Sequence, residues 1–136
     1  MGTWGVRAFD NDGANDWAYD LEKTRDLSLV ESAIAEVERA GAEYLQGDDA
    51  DNALAACEVL ARLNGRPGYT DAYTEKVDKW VKAHPLKPSP DLIKRANASI
   101  DRILGEQSEL RELWEESDSA DEWRAAMADL RSRVLG

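Results

Sequence analysis

Apolar side chains recur in this chain at three- and four-residue steps from about residue 12 to the C-terminus, and no β-type alternation runs longer than a few residues. A 3.6-residue period specifies amphipathic helices and leaves no material for a sheet. The expectation is an all-α fold, a single compact bundle of six to seven helices preceded by an irregular segment over residues 1–12.

The helices can be placed from their stripes and their punctuation. Between Ser28 and Gln46 the stripe is Val30, Ala33, Ile34, Val37, Ala40 and Tyr44, with Ser28 and Glu31 spaced as a capping box. Gly47 and Asp48 read as a break. Ala53, Leu54, Cys57, Leu60 and Ala61 then mark a helix over Asp51–Leu63 that ends at Asn64-Gly65. A helix starting near Thr70 or Asp71 carries Tyr73, Val77, Trp80 and Val81, and His84-Pro85 stops it. Residues 85–90 hold three of the four prolines and form an extended connector. Ser89-Pro90-Asp91 combines an N-cap hydroxyl, proline at the first helical position and an acid at the positive dipole end. Leu92, Ile93, Ala96, Ile100, Ile103 and Leu104 follow until Gly105. Two shorter pieces close the chain, one around Leu110, Leu113 and Trp114, the other around Trp123, Met127, Leu130 and Val134, with Asp118 or Ser119 between them.

For 136 residues and 15.1 kDa, the surface scaling law leaves roughly 7,000 Å² exposed out of roughly 22,000 Å² in the extended chain. That is enough burial for one core, so residues 1–136 are expected to form one domain. The 28 acids against 17 bases give a net charge of −11. Affinity for a phosphate backbone comes mainly from Lys and Arg, so no nucleic acid is expected as partner. The charge is uneven: residues 1–68 carry −8, whereas Lys76, Lys79, Lys82, Lys87, Lys94, Arg95 and Arg102 form a mildly basic belt. A single cysteine excludes an internal disulfide and points to a reducing compartment. With no membrane-length apolar run, no basic n-region and Val6 where a myristoylation site needs Ser or Thr, the expected location is the cytoplasm, with no membrane contact.

The opening residues, MGTWGVRAFDNDGANDWAYDLE, depart from ordinary helix or strand. Glycines bracket aromatic residues, and Asp10, Asn11, Asp12 and Asp16 crowd four acceptors into seven positions. Met1, Gly2, Trp4, Gly5, Phe9, Asp10, Asn11, Asp12, Ala14, Asp16 and Trp17 together make a pattern that resembles the opening of a bacterial family, domain of unknown function 4259. Ser108-Glu109-Leu110, Leu113-Trp114-Glu115-Glu116 and Trp123-Arg124 are similar to the family near the other end. Val6-Arg7, where small residues are expected, and Gly13, where an acid is common, depart from its pattern. The resemblance implies membership and no settled activity.

Three readings of the opening compete. As a brace, Asn11 or Asp12 caps the first helix, Asp16 adds to its dipole, Phe9 and Trp17 fold into the core, and the glycines let backbone pack under the Trp4 indole. As a recognition surface, Trp4, Phe9, Asp10, Asn11, Asp12, Asp16 and Trp17 contact a partner. As a metal site, Asp10, Asp12 and Asp16 would ligate Mg²⁺ or Ca²⁺. Counted from Asp10, however, the EF-hand positions fall on Ala14 and Asn15, so that spacing fails. The brace ranks first and the metal last; no metal and no cofactor are expected.

Elsewhere the ordinary explanation suffices. His84, the only histidine, suits a helix C-terminus, and Cys57 lies on an apolar stripe as a small hydrophobe. One Cys and one His cannot make a zinc cluster, and neither glycine-rich phosphate loop is present. Asn97-Ala98-Ser99 matches a glycosylation sequon only incidentally, in a helical setting. Trp80, Trp114 and Trp123 belong to the core, whereas Trp4, flanked by glycine, is expected to be exposed or half exposed. Tryptophan is enriched at binding hot spots, and an acidic surface suits a basic protein partner. The leading expectation is a non-catalytic protein-interaction module, antidote-like or immunity-like against a basic effector. The alternative is a divalent-metal-dependent hydrolase or nucleotide-processing enzyme built on the Asp cluster. A third reading is a homo-oligomeric structural protein.

Overall fold

The computed structural model describes residues 2–136. Its helices are α1 (Asp12–Leu21), α2 (Ser28–Ala40), α3 (Gly47–Leu63), α4 (Glu75–Ala83), α5 (Pro90–Leu104), α6 (Glu109–Glu115) and α7 (Ala120–Leu135). Among the described residues no strand forms, and β pairing is limited to isolated bridges at Thr3–Asn11 and Leu45–Ser108. The fold is all-α, and its exposed surface of 7326 Å² sits close to the expectation from mass.

Helix α3 is the axis of the bundle and packs against each of the other six helices. Its sequence explains the position. From Ala53 to Arg62 every residue is buried, because alanines on the flanks leave room for neighbours on all sides. A helix apolar on nearly every side belongs inside a protein, and the two charged members of this segment, Glu58 and Arg62, are buried as an ion pair. Val30, Ile34 and Val37 of α2, Leu92, Ile100 and Ile103 of α5, and Trp123, Leu130 and Val134 of α7 close the core around it.

Local signals set several helix ends as expected. Ser89 Oγ accepts from Leu92 N at 3.1 Å, with Pro90 at the first helical position. Gly105 ends α5, and His84 ends α4 with its ring stacked on Trp80 and Nδ1 3.0 Å from the Trp80 carbonyl. Cys57 is fully buried, and burial pushes its thiol up to about 12.

Long-range contacts move other ends. The helix expected over Ser28–Gln46 stops at Ala40, where Gly41 takes φ +55°. Residues 41–46 then run as a connection held by Arg102, which donates to the carbonyls of Gly41 (2.9 Å) and Glu43. Tyr44, expected on the stripe, is exposed and donates to Glu112 at 2.9 Å. Gly47 and Asp48 do not break a helix; they begin α3. The carboxylate of Glu109 accepts from Gly47 N at 2.6 Å and serves as the cap. Nor does a Ser28 capping box form: Asp26 Oδ1 accepts from Ser28 N at 3.0 Å, and Leu27 occupies the cap position. Helix α4 starts at Glu75, later than expected, because Asp71 Oδ1 accepts from both Tyr73 N (2.9 Å) and Thr74 N (3.1 Å) and holds a turn there. Tyr73 is thereby left outside the core, 46% exposed. In α6 only Leu110 is buried; Leu113 faces solvent and Trp114 lies half-buried, stacked on the buried Trp123.

Candidate functional site

Residues 2–11 fold back on themselves and present one end of the bundle with a distinct face. Asp12 N donates to the Gly2 carbonyl at 2.7 Å and Trp4 N to that of Asp10 at 2.9 Å, closing a small loop about the Thr3–Asn11 bridge. Phe9 anchors it, fully buried, while Asn15 Nδ2 donates to the Phe9 carbonyl at 2.8 Å. Asn11 caps α1 by accepting from Ala14 N at 2.8 Å, and its own Nδ2 donates to the Ala8 carbonyl at 3.1 Å. Met1 of the opening motif lies outside the described residues.

The glycines serve a different purpose from the one their sequence suggests. A Cβ on Gly5 would collide with the Asp10 carboxylate, and one on Gly2 would lie 3.2 Å from Asp12 Oδ2. They make room for the aspartates, not for the Trp4 indole.

The seven residues singled out from sequence divide by burial. Phe9, Asn11 and Trp17 are buried and support the face from behind. Asp10 is half-buried, Asp12 and Asp16 are exposed along α1, and Trp4 is 46% exposed. The Asp10 carboxyl accepts from Arg7 N at 3.2 Å; burial raises its pKa above the ordinary carboxylate range, with the Asp71 charge contributing. Asp10, Asp12 and Asp16 therefore point to separate tasks, and among the described residues no three metal-ligating side chains converge.

Sequence reasoning missed the partners that complete this face. Trp4 packs against Tyr73 with ring centroids 4.9 Å apart and planes at 46°. Trp4 and Tyr73 thus form a half-exposed aromatic pair, with Asp71 Oδ1 accepting from Tyr73 N at 2.9 Å. Tyr19 of α1 is also exposed, at 55%, with Lys76 Nζ 4.3 Å above its ring. Tyr73 was legible as an aromatic but misplaced, because it falls in phase with Val77 and Trp80.

Beside this face lies a buried ionic knot. Glu58 accepts from Arg62 Nη1, from Arg133 Nη1 at 2.8 Å and from Arg133 Nη2 at 2.9 Å, and all three side chains are buried. Arg62 also donates to Asp78 at 2.7 Å and to the Tyr69 carbonyl at 2.6 Å; Arg133 donates to Asp129 at 2.8 Å and to the Pro67 carbonyl at 3.0 Å. Burial works against the charge of Arg133, yet Glu58 and Asp129 hold its pKa above the usual value. Gly68, at φ +69°, admits this guanidinium, since a Cβ there would strike it. A cleft of about 300 Å³ opens above the knot between Val6, Arg7, Leu54, Tyr69 and Met127. With the Glu58 oxygens and most of the guanidinium donors already engaged, the arrangement acts as a staple joining α3, α7 and the loop over residues 64–74.

Sequence reasoning also missed Asp51. It lines a cavity of about 20 Å³, room for about one water, beneath Thr3, Gly5 and Asn11 and beside Trp114 and Trp123. Burial, with the charges of Asp48 and Glu109, pushes its carboxyl up to about 7.

The sequence model of the family Domain of unknown function (DUF4259) matches residues 2–126. The chain belongs to the DUF4259 family. That match takes in the whole N-terminal face, the ionic knot up to Asp78 and the first turns of α7. No curated protein and no solved structure matches the chain significantly. Among the described residues no helix is long and apolar enough to cross a membrane.

Proposed function

We propose that this DUF4259 chain is a non-catalytic protein-interaction module that binds a basic protein through its N-terminal face, in the manner of a cytoplasmic antidote. The observation that carries the reading is the Trp4–Tyr73 pair. Two large rings stand nearly half exposed on a rigid base anchored by Phe9, although burying such rings would be favourable. Aromatic anchors on a braced surface are the usual centre of binding energy, with charged surroundings steering the encounter. The surrounding charge supports a basic partner: Asp12, Asp16 and Asp20 line the exposed side of α1, and the chain carries −11 overall. The single Cys57, buried and with its thiol held protonated, suits a reducing compartment.

The test is affinity capture from a lysate of the source organism, run with the parent chain beside Trp4→Ala and an Asp12→Asn/Asp16→Asn variant, each checked for native helicity. A stoichiometric basic protein retained by the parent and lost from Trp4→Ala is the expected result. A partner retained equally by all three moves the surface elsewhere, and the absence of any partner contradicts the reading for the proteins in that lysate.

A further inference from the structure

We propose that the cleft above the ionic knot binds a small organic monocarboxylate with a compact apolar body, its carboxylate taken by Arg7 and the Tyr69 hydroxyl. This site does not rest on the interaction-module reading, since neither Trp4 nor Tyr73 lines it.

The cleft holds about 300 Å³, at the small end of the range for ligand pockets. Ala8, Leu54, Met127 and Leu130, all buried, give it apolar walls. Its uncommitted polar groups are donors. The Arg7 guanidinium lies 4.6 Å from the Tyr69 ring centroid and, among the described residues, makes no hydrogen bond and no ion pair. Asp10 feels its charge but accepts only from the Arg7 backbone N–H, at 3.2 Å. Tyr69 Oη accepts from Phe9 N at 3.4 Å, while its own O–H donates to no described residue. Burial and the Glu58 charge keep this hydroxyl protonated, so it stays a donor at neutral pH. Arg133 Nη2 gives one of its two N–H groups to Glu58 Oε2 at 2.9 Å.

The carboxylates of the cleft are committed. Glu58 accepts from Arg62 Nη1, Arg133 Nη1 and Arg133 Nη2, and Asp129, largely in water, accepts from Arg133 Nε at 2.8 Å. Uncommitted donors above apolar walls fit a ligand with an acceptor at one end and apolar area at the other. A carboxylate serves better than a neutral carbonyl, because its two oxygens match the fork of a guanidinium. A cation would meet Arg7 and Arg133. A dianion such as phosphate would find too little positive charge, since Arg133 is already paired with Glu58 and Asp129. One carboxylate supplies what Arg7 lacks.

The probes are phenylacetate, isovalerate and hexanoate, titrated at constant ionic strength into the ¹⁵N-labelled full chain and followed by its backbone amide resonances. The primary amide of each acid is its uncharged control. The expected result is a saturable shift from at least one acid, confined to the cleft segments 6–8, 68–69 and 126–130. Its Kd should be about a millimolar or tighter, as about ten non-hydrogen atoms can provide. The matching amide should bind at least about tenfold more weakly, having lost the charge. Arg7→Gln changes an exposed side chain and keeps the backbone N–H that Asp10 accepts from; it should weaken binding at least about tenfold, and Tyr69→Phe at least about threefold. N-acetylated Gly-Gly-Phe with a free C-terminus separates two sources of the same chemistry: tighter binding than phenylacetate assigns the carboxylate to a chain end, weaker binding to a free acid. No shift at the cleft from any of the three acids overturns the proposal. So does an amide that binds as tightly as its acid, or an Arg7→Gln chain of native helicity that binds as tightly as the parent.

Discussion

Tyr69 and Tyr73 sit four residues apart in one loop, and each belongs to a cluster of aromatic rings and charges. Around Tyr69, Glu58 is shared between Arg62 and Arg133, with Asp78 and Asp129 completing the set, and the three central side chains are buried. Around Tyr73, Trp4 and Asp71 are exposed and Asp10 is half-buried, with the charge of the exposed Arg7 acting on Asp10. Both combine tyrosine with carboxylates, but only the first includes guanidiniums held in ion pairs with them. What separates the two is burial and pairing: the first cluster is closed by ion pairs inside the fold, and the second stands open to solvent. In the first cluster the valences of the carboxylate are spent within the fold, so it has no acceptor to offer a ligand. In the second, Asp71 Oδ1 accepts from Tyr73 N and Thr74 N, and the ring pair stands nearly half exposed.

The comparison breaks most visibly if the buried cluster proves dispensable. Glu58→Gln removes the one buried charge shared by two buried guanidiniums, leaving them only Asp78 and Asp129 at the margin of the knot, and is expected to cost about 3–5 kcal/mol in a urea titration. A change below about 1 kcal/mol would show that the knot carries no structural weight. Phe9→Ala should cost about 3 kcal/mol, because it empties a fully buried site. It should also abolish partner binding by releasing the base on which Trp4 and Asp10 stand, whereas Glu58→Gln should leave the affinity of the folded fraction unchanged.

A smaller effect sharpens the picture beneath the N-terminal segment. Asp51 titrates at about 7 in the folded chain, above the ordinary 3.8, so the folded state binds its proton more tightly than the unfolded state does. The associated stability is complete below about pH 4 and is lost as pH rises towards 7 and beyond. Asp51→Asn should match the parent near pH 4 and exceed it near pH 8 by on the order of 2 kcal/mol, allowing for the partial exposure of the group. The measurement is the urea midpoint across that range, and a parallel pH dependence in both chains would contradict it. The smallest expected effect belongs to Trp4→Ala, which should change stability by less than about 1 kcal/mol because nearly half of the side chain is already in water.

How much of this was legible in the sequence follows from the range of the interactions involved. The ends of α5 are local statements, made by Ser89, Pro90 and Gly105 within a few residues of where they act, and they could be read directly. The junction of α2 and α3 could not, since the cap on Gly47 comes from Glu109 and the clamp on residues 41–46 from Arg102, both some sixty residues away. Asn11 as a cap, Phe9 and Trp17 as core, and Trp4 as a half-exposed ring all follow from local pattern. Tyr73 was misplaced because periodicity reports phase and not the turn that Asp71 imposes ahead of α4. The knot had a signal that periodicity alone does not weigh: Glu58 and Arg62, four residues apart, stand in a helix so rich in alanine and leucine that it has no solvent face to give them. Arg133, the third member, joins only through tertiary packing.

The most direct test of the account is to measure, on the same samples, partner binding and the urea midpoint for the parent and for a Trp4→Ala/Tyr73→Ala variant. The account predicts binding reduced at least tenfold with a midpoint displaced by less than about 1 kcal/mol in stability, as befits rings exposed on a finished fold. Unchanged binding, or a loss of binding matched by a comparable loss of stability, would mean that these rings brace the fold and that the contact surface is elsewhere.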